Sequence, residues 1–185
     1  MLGIHQTGGN YPPCCCQFAW HQYVFEIFNY HSLCNLMNAD IYPYQTDHFC
    51  IAFEFQSEGP NGQIRKIVQY DEINQLKDGT PVLAISFGDW DEEKQDFNEL
   101  KVSNNADTMK VLYTIAATIK EVTESMNVAV FGQGSTSARN RLYQMAISMQ
   151  LTQIEKDFNV FGLTAFEWEC FKKGSSYKAF FFTRK

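Results

Sequence analysis

The sequence predicts an α+β domain: an antiparallel or mixed sheet in the order β-β-β-β-α-β-α-β-β, with two helices packed on it. Three observations carry this expectation. Between residues 50 and 90, apolar and polar residues alternate in segments separated by strong turn formers. Two later segments switch to spacings of three and four, the period of a helix. A short apolar stretch separates those two segments, and two aromatic-rich stretches close the chain.

Taken in order, IAFEF (Ile51 to Phe55) alternates like a strand, SEGPNG follows, and QIRKIVQY resumes the alternation. Pro60 fixes φ and Asn61-Gly62 accepts positive φ, so the pair reads as a hairpin of residues 50–57 with 63–70. After the turn LKDGTP, residues 81–90 form a third strand, and ELKV (99–102) a short fourth in an antiparallel meander. Met109, Leu112, Ile115, Ala116, Ile119, Val122 and Met126 then mark one face of a helix spanning residues 106–126, with Asn104, Asn105 and Asp107 as cap and first turn. NVAVFG, 127–132, is the next strand. A second helix spans 136–157, with Ile147, Leu151, Ile154 and Phe158 on one stripe and Leu142, Met145 and Met149 on its neighbour. So broad an apolar surface predicts a helix well buried against the sheet. FNVFGLTAFEWECF and SSYKAFFFTRK, separated by KKGSS, form a closing hairpin.

Residues 1–36 stand apart, with Glu26 as their sole charged side chain while three histidines and four cysteines crowd into them. The shift in composition points to residues 1–36 as a non-domain segment upstream of a native start at Met37, and to residues 37–185 as a single domain. A genuine, poorly structured extension that packs some aromatics on the domain and a Cys/His metal site are the competing readings, although three successive cysteines, Cys14 to Cys16, do not converge easily on one tetrahedral ion. The net charge of −6 argues against a nucleic-acid or anionic-membrane partner. No apolar run has the length of a membrane span, no CxxC pair suggests zinc, and a reducing cytoplasm is the expected setting.

The stretch GQGSTSARNRLYQM, Gly132 to Met145, carries the candidate site. If a helix begins at Ser135–Ser137, its first-turn N–H groups lack intrahelical partners and favour an anion. Gly134 permits close approach, Ser135 and Thr136 add hydroxyls, and Arg139 and Arg141 add charge. Those two arginines stand about 200° apart around a helix, so they do not clamp one ligand together. The alternative is a capped strand-to-helix turn that binds nothing. Asn104 and Asn105 offer a second anion position ahead of the first helix. No metal site is expected: Asp89 and Asp91 alternate on a strand end, but such an acidic run is more often a solvated turn. Cys50 and Cys170, set in apolar strands, read as core residues.

Two resemblances follow. FGDWDEE, the SNNAD segment with KVLYTIAATI, and above all GSTSARNRLYQM resemble a family of small bacterial proteins with the pattern GSTxARxRLYxM. That likeness implies no established activity. More distantly, the architecture is similar to the GNAT-type N-acetyltransferases, and Ala138, Leu142 and Tyr143 resemble a segment of those enzymes. This second resemblance implies acetyl-CoA as a cofactor and Tyr143 as the acid that protonates the departing thiolate. The glycine-rich pyrophosphate loop of that superfamily is replaced by VSNNADTMK, so the expected function is a non-enzymatic binding or accessory protein without a cofactor. The alternatives are an acyl-CoA-dependent N-acyltransferase and a small toxin-type protein directed at nucleic acid through Arg139 and Arg141.

Overall fold

The computed structural model describes residues 40–98, 101 and 103–185. The segment 1–36 with its cysteines and histidines lies outside the described residues, as do Glu99, Leu100 and Val102 of the expected strand ELKV. The elements in chain order are β1 (Tyr44–Thr46), β2 (Ala52–Gly59), β3 (Gly62–Gln75), β4 (Pro81–Asp91), β5 (Asp96–Asn98), α1 (Thr108–Ser125), β6 (Ala129–Gly132), α2 (Ser137–Asp157), β7 (Phe158–Leu163), β8 (Trp168–Cys170) and β9 (Ala179–Arg184). The fold is α+β, as the alternation and the change of period predict.

The strands form one sheet in the order β1-β2-β3-β4-β6-β9-β7-β8, with β5 paired to the end of β4. The β2–β3 hairpin closes through Pro60 and Asn61, because Gly59 faces Gly62 across the register and Gly62 takes φ of 84°. The fourth strand falls earlier than ELKV. Asp91 pairs with Asp96, and Gln95 at φ of 52° turns the chain back at once. β1 and β8 were not expected, since three residues are too few for alternation to register. The closing hairpin is more elaborate than expected: β7 pairs with β8 on one side and with β9 on the other, so the last strand inserts beside β6.

All neighbouring pairs are antiparallel except β4 and β6, which run parallel for four residues, Val82 to Ile85 against Ala129 to Gly132. Beyond Ile85, β4 continues to Asp91 while β6 ends, so pairing between them stops there.

Both helices cover one face of this sheet. Phe53, Val68, Leu83, Val130, Phe180 and Phe182 project toward them and join Val111, Ile115, Val122, Ile147, Leu151 and Ile154 in one buried cluster. Polar ties fix α1 in place: the Tyr70 hydroxyl and Thr118 Oγ1 are 2.8 Å apart, and the Tyr42 N–H donates to Thr114 Oγ1 at 2.9 Å. Burial pushes the Tyr70 phenol well above its ordinary range, so it stays protonated. On α2 the structure corrects the expectation of two buried stripes. Ile147, Leu151 and Ile154 are buried, whereas Leu142, Met145 and Met149 are 38%, 47% and 63% exposed. Cys50 packs half-buried against the core, though from the turn before β2 rather than from a strand, whereas Cys170 on the short strand β8 is exposed and is no core residue. No described helix is long and apolar enough to cross a membrane.

Candidate functional site

The start of α2 is assembled from the residues the sequence singled out. Thr136 is the N-cap in an extended conformation, and its hydroxyl accepts from the Arg139 N–H at 3.2 Å. The Gly134 N–H donates to Asn140 Oδ1 at 2.6 Å, and Asn140 Nδ2 donates to the Lys178 carbonyl at 2.7 Å. A Cβ on Gly134 would lie 2.7 Å from the Asn140 nitrogen, so glycine is required there by packing. Gly134 and Thr136 therefore build the helix start.

Successive residues of α2 advance about 100° around its axis, which sorts its side chains into three faces. Asn140 and Gln144 anchor the helix to the 175–178 segment, where Gln144 Oε1 accepts the Tyr177 N–H at 3.3 Å. Arg141, Leu142, Met145 and Met149 face solvent. Arg139, Tyr143, Ala146, Ile147, Gln150 and Ile154 line a groove of about 110 Å³.

That groove runs between α1 and α2, over the place where β4 and β6 stop pairing. Its floor is Ile85, Phe87, Phe180 and Phe182, and α1 supplies Leu112, Tyr113, Ile115, Ala116 and Ile119. Ala116 and Ala146, small residues on the two helical walls, leave the space open. The Tyr143 ring stands 5.7 Å from that of Phe87 at 49°. The polar side chains of the lining are Ser86, Tyr113, Gln133, Ser135, Arg139, Tyr143 and Gln150, and Ser135 and Arg139 are in direct contact. Arg139 is half-buried as a residue, and its guanidinium, at the exposed rim, donates to Ser135 Oγ at 3.1 Å and to the Lys101 carbonyl at 3.0 Å.

A family model matches the chain over residues 38–185. The chain belongs to the DUF6934 family, a family of unknown function. No curated protein and no solved structure matches it.

In this DUF6934 member the singled-out residues do not form one site: Gly134 and Thr136 shape the α2 start and Arg141 faces solvent. Ser135, Arg139 and Tyr143 line the groove, whereas Asn104 and Asn105 lie against the β2–β3 hairpin. Asn105 is buried, accepts from the Asn61 N–H at 2.9 Å, and donates to Ser57 Oγ at 2.9 Å and to the Gly62 carbonyl at 3.1 Å. A Cβ on Gly59 would fall 1.9 Å from the Asn105 carbonyl oxygen, so this loop lies directly on the hairpin backbone. Asp107 is the N-cap of α1 but makes no side-chain cap. Its carboxylate instead accepts from Ser57 Oγ at 2.6 Å and from the Tyr42 hydroxyl at 2.9 Å. A fixed carboxylate already occupies the place where the dipole of α1 would favour an anion.

The acidic run is also reassigned. Asp89 is no solvated turn residue: its side chain is 2% exposed and forms an ion pair with Lys66, 8% exposed. Lys66 Nζ also reaches Ser103 Oγ at 2.9 Å, while Asp89 Oδ2 has no hydrogen-bond partner among the described residues. Asp91 accepts from the backbone N–H groups of Glu93 and Lys94, and these bonds, that of Lys94 foremost, hold its carboxyl below the usual range. No group of three or more His, Cys, Asp or Glu suited to a metal occurs among the described residues. Sequence reasoning missed the Lys66–Asp89 pair, though Lys66, Val68 and Tyr70 share one strand face, and a lysine in register with two core residues is the signal.

Proposed function

We propose that this chain is a non-enzymatic binding protein that holds a small ligand in the groove between α1 and α2. One observation carries the reading: a mainly apolar groove with Arg139 as the one charged side chain of its described lining, over the point where two parallel strands part. The ends of parallel strands at such a switch are where open sheets leave room for ligands. The groove's volume, about 110 Å³, is smaller than the roughly 150 Å³ cavity known to accept benzene, so the enclosed part of the ligand is slender or small. A thermal-shift panel of small apolar alcohols and acids tests the reading. Members that bind raise the melting temperature by mass action, and Ala146→Phe, which fills the groove from the α2 wall, abolishes the shift while the protein stays folded. A panel without response at millimolar concentration removes the reading.

A second reading, an acyl-CoA-dependent N-acyltransferase, has one observation in its favour: Tyr143, the acid that the GNAT resemblance implies, lines the groove. Against it stand the absence of a glycine loop before α1 and the Asp107 carboxylate at that helix start. Acetyl-CoA that is turned over with an amine acceptor, with Tyr143→Phe retaining binding and losing rate, would establish it. No thermal response to any CoA species at millimolar concentration excludes it.

A further inference from the structure

Arg139 is the only charged residue among the described residues that line the groove. Its guanidinium is held in place by two neutral oxygens, Ser135 Oγ and the Lys101 carbonyl. By contrast, Arg65 meets Glu54 at 2.7 Å and Arg184 meets Glu124 at 3.3 Å, and no carboxylate among the described residues forms an ion pair with Arg139. Its place in the first turn of α2 makes the imbalance larger. A helix start carries partial positive charge and disfavours a cation, yet α2 has no acidic residue in its first turn. An oriented guanidinium with donors to spare thus stands at the exposed rim of an apolar groove without a counter-charge from its lining. Further along, Ile147, Ile154, Phe158 and Phe182 offer only hydrocarbon, with Gln150 the one polar side chain among them.

We infer that the ligand is a monoanionic amphiphile, a carboxylate seated on Arg139 with a linear apolar tail laid between α1 and α2. This rests on the reading of the groove as a ligand site. The planar guanidinium matches a carboxylate with two parallel hydrogen bonds. A single cation suits one negative charge, and the uncharged walls reject a second. A cationic amphiphile is repelled at the mouth, and a neutral one gains the tail contacts alone.

Calorimetric titration with butanoate, hexanoate and octanoate, set against octanol and octylamine, tests this. Affinity is expected to rise about fourfold for each methylene buried. Octanoate is expected to bind at least tenfold tighter than octanol, with octylamine not binding. Arg139→Gln should bring octanoate down to the level of octanol and leave octanol within twofold of its wild-type affinity. Octanol binding the wild-type protein as tightly as octanoate would overturn the anion class while leaving the groove as a ligand site. Neither compound binding would remove the groove reading itself. Should Arg139→Gln fail to fold, the comparison of acid with alcohol on the wild-type protein decides the matter.

Discussion

Lys66 stands two residues before Val68 on the inward face of β3, and its charge is kept in a nearly dry place by Asp89 on the adjacent strand. Removing one member of such a pair leaves the other buried without its counter-charge, which costs far more than the pair contributes. Lys66→Met is therefore expected to lower stability by about 3–5 kcal/mol, seen as a reduced urea midpoint at unchanged slope. Lys66→Met combined with Asp89→Leu should recover most of that loss. A double variant as unstable as the single one would mean that Lys66 acts through Ser103 instead. Glu169 shows a gentler electrostatic effect at the surface. The Tyr177 hydroxyl at 2.8 Å, and then Lys172 at 3.0 Å, hold its carboxyl below the ordinary value of 4.5. A depressed carboxyl contributes stability above its unfolded pKa and loses it as pH falls through the folded value. The Glu169→Gln variant should thus melt lower than wild type at neutral pH and converge with it as the pH drops below about 4.5. A gap that persists unchanged in acid would exclude this origin.

At the scale of elements, α2 shows why a helix can be correctly expected and its packing misjudged. The Ser-Thr cap, the spacing of Ile147, Leu151 and Ile154, and the strand preceding it are local signals, and all three describe the helix that forms. Whether Leu142, Met145 and Met149 also meet a neighbour depends on where the sheet ends, and the described residues leave all three exposed. Likewise Asp107 looks like a cap residue and stands at the cap position, but two hydroxyl donors from distant segments capture its carboxylate. The helix start itself gives a sharp test. Gly134→Ala puts a methyl group 2.7 Å from the Asn140 backbone nitrogen, a fixed atom that can yield only if the turn moves. The expected loss is about 1–3 kcal/mol, greater than the ~1 kcal/mol for removing the cap in Thr136→Ala. Chemical denaturation of both variants orders them, and a Gly134→Ala protein as stable as wild type would show that the turn is freer than its packing implies.

Across the whole molecule, one buried cluster joins both helices to strands from β1 to β9, so the domain should unfold as a unit. Protection within it is uneven, because β3, β4, β6 and β9 have hydrogen-bonded neighbours on both sides, whereas β1 and β8 are three-residue edges. Native-state hydrogen exchange is expected to find the slowest amides in the central strands, opening only with global unfolding, and fast exchange in β8 and the 172–176 segment. Slow exchange throughout β8 would mean that this edge is covered in solution. The groove belongs to this scale as well. It exists because β4 outruns β6 and because two alanines, far apart in sequence, line it from different helices.

The sequence by itself determined the fold class, the element order from β2 onward apart from the placement of β5 and the brief β8, and the local chemistry of the α2 start. Each of these depends on neighbours within a few positions along the chain, through alternation, helical period, turn residues and caps. Only the tertiary structure decided that Asp89 is buried with Lys66, that Asn105 is consumed by a hairpin 43 or more residues away, and that Arg139 and Tyr143 open onto an apolar groove while Arg141 does not. Those outcomes depend on which strands become neighbours and where their pairing ends. A contact between residues distant in the chain leaves no period or spacing by which a single sequence can be read.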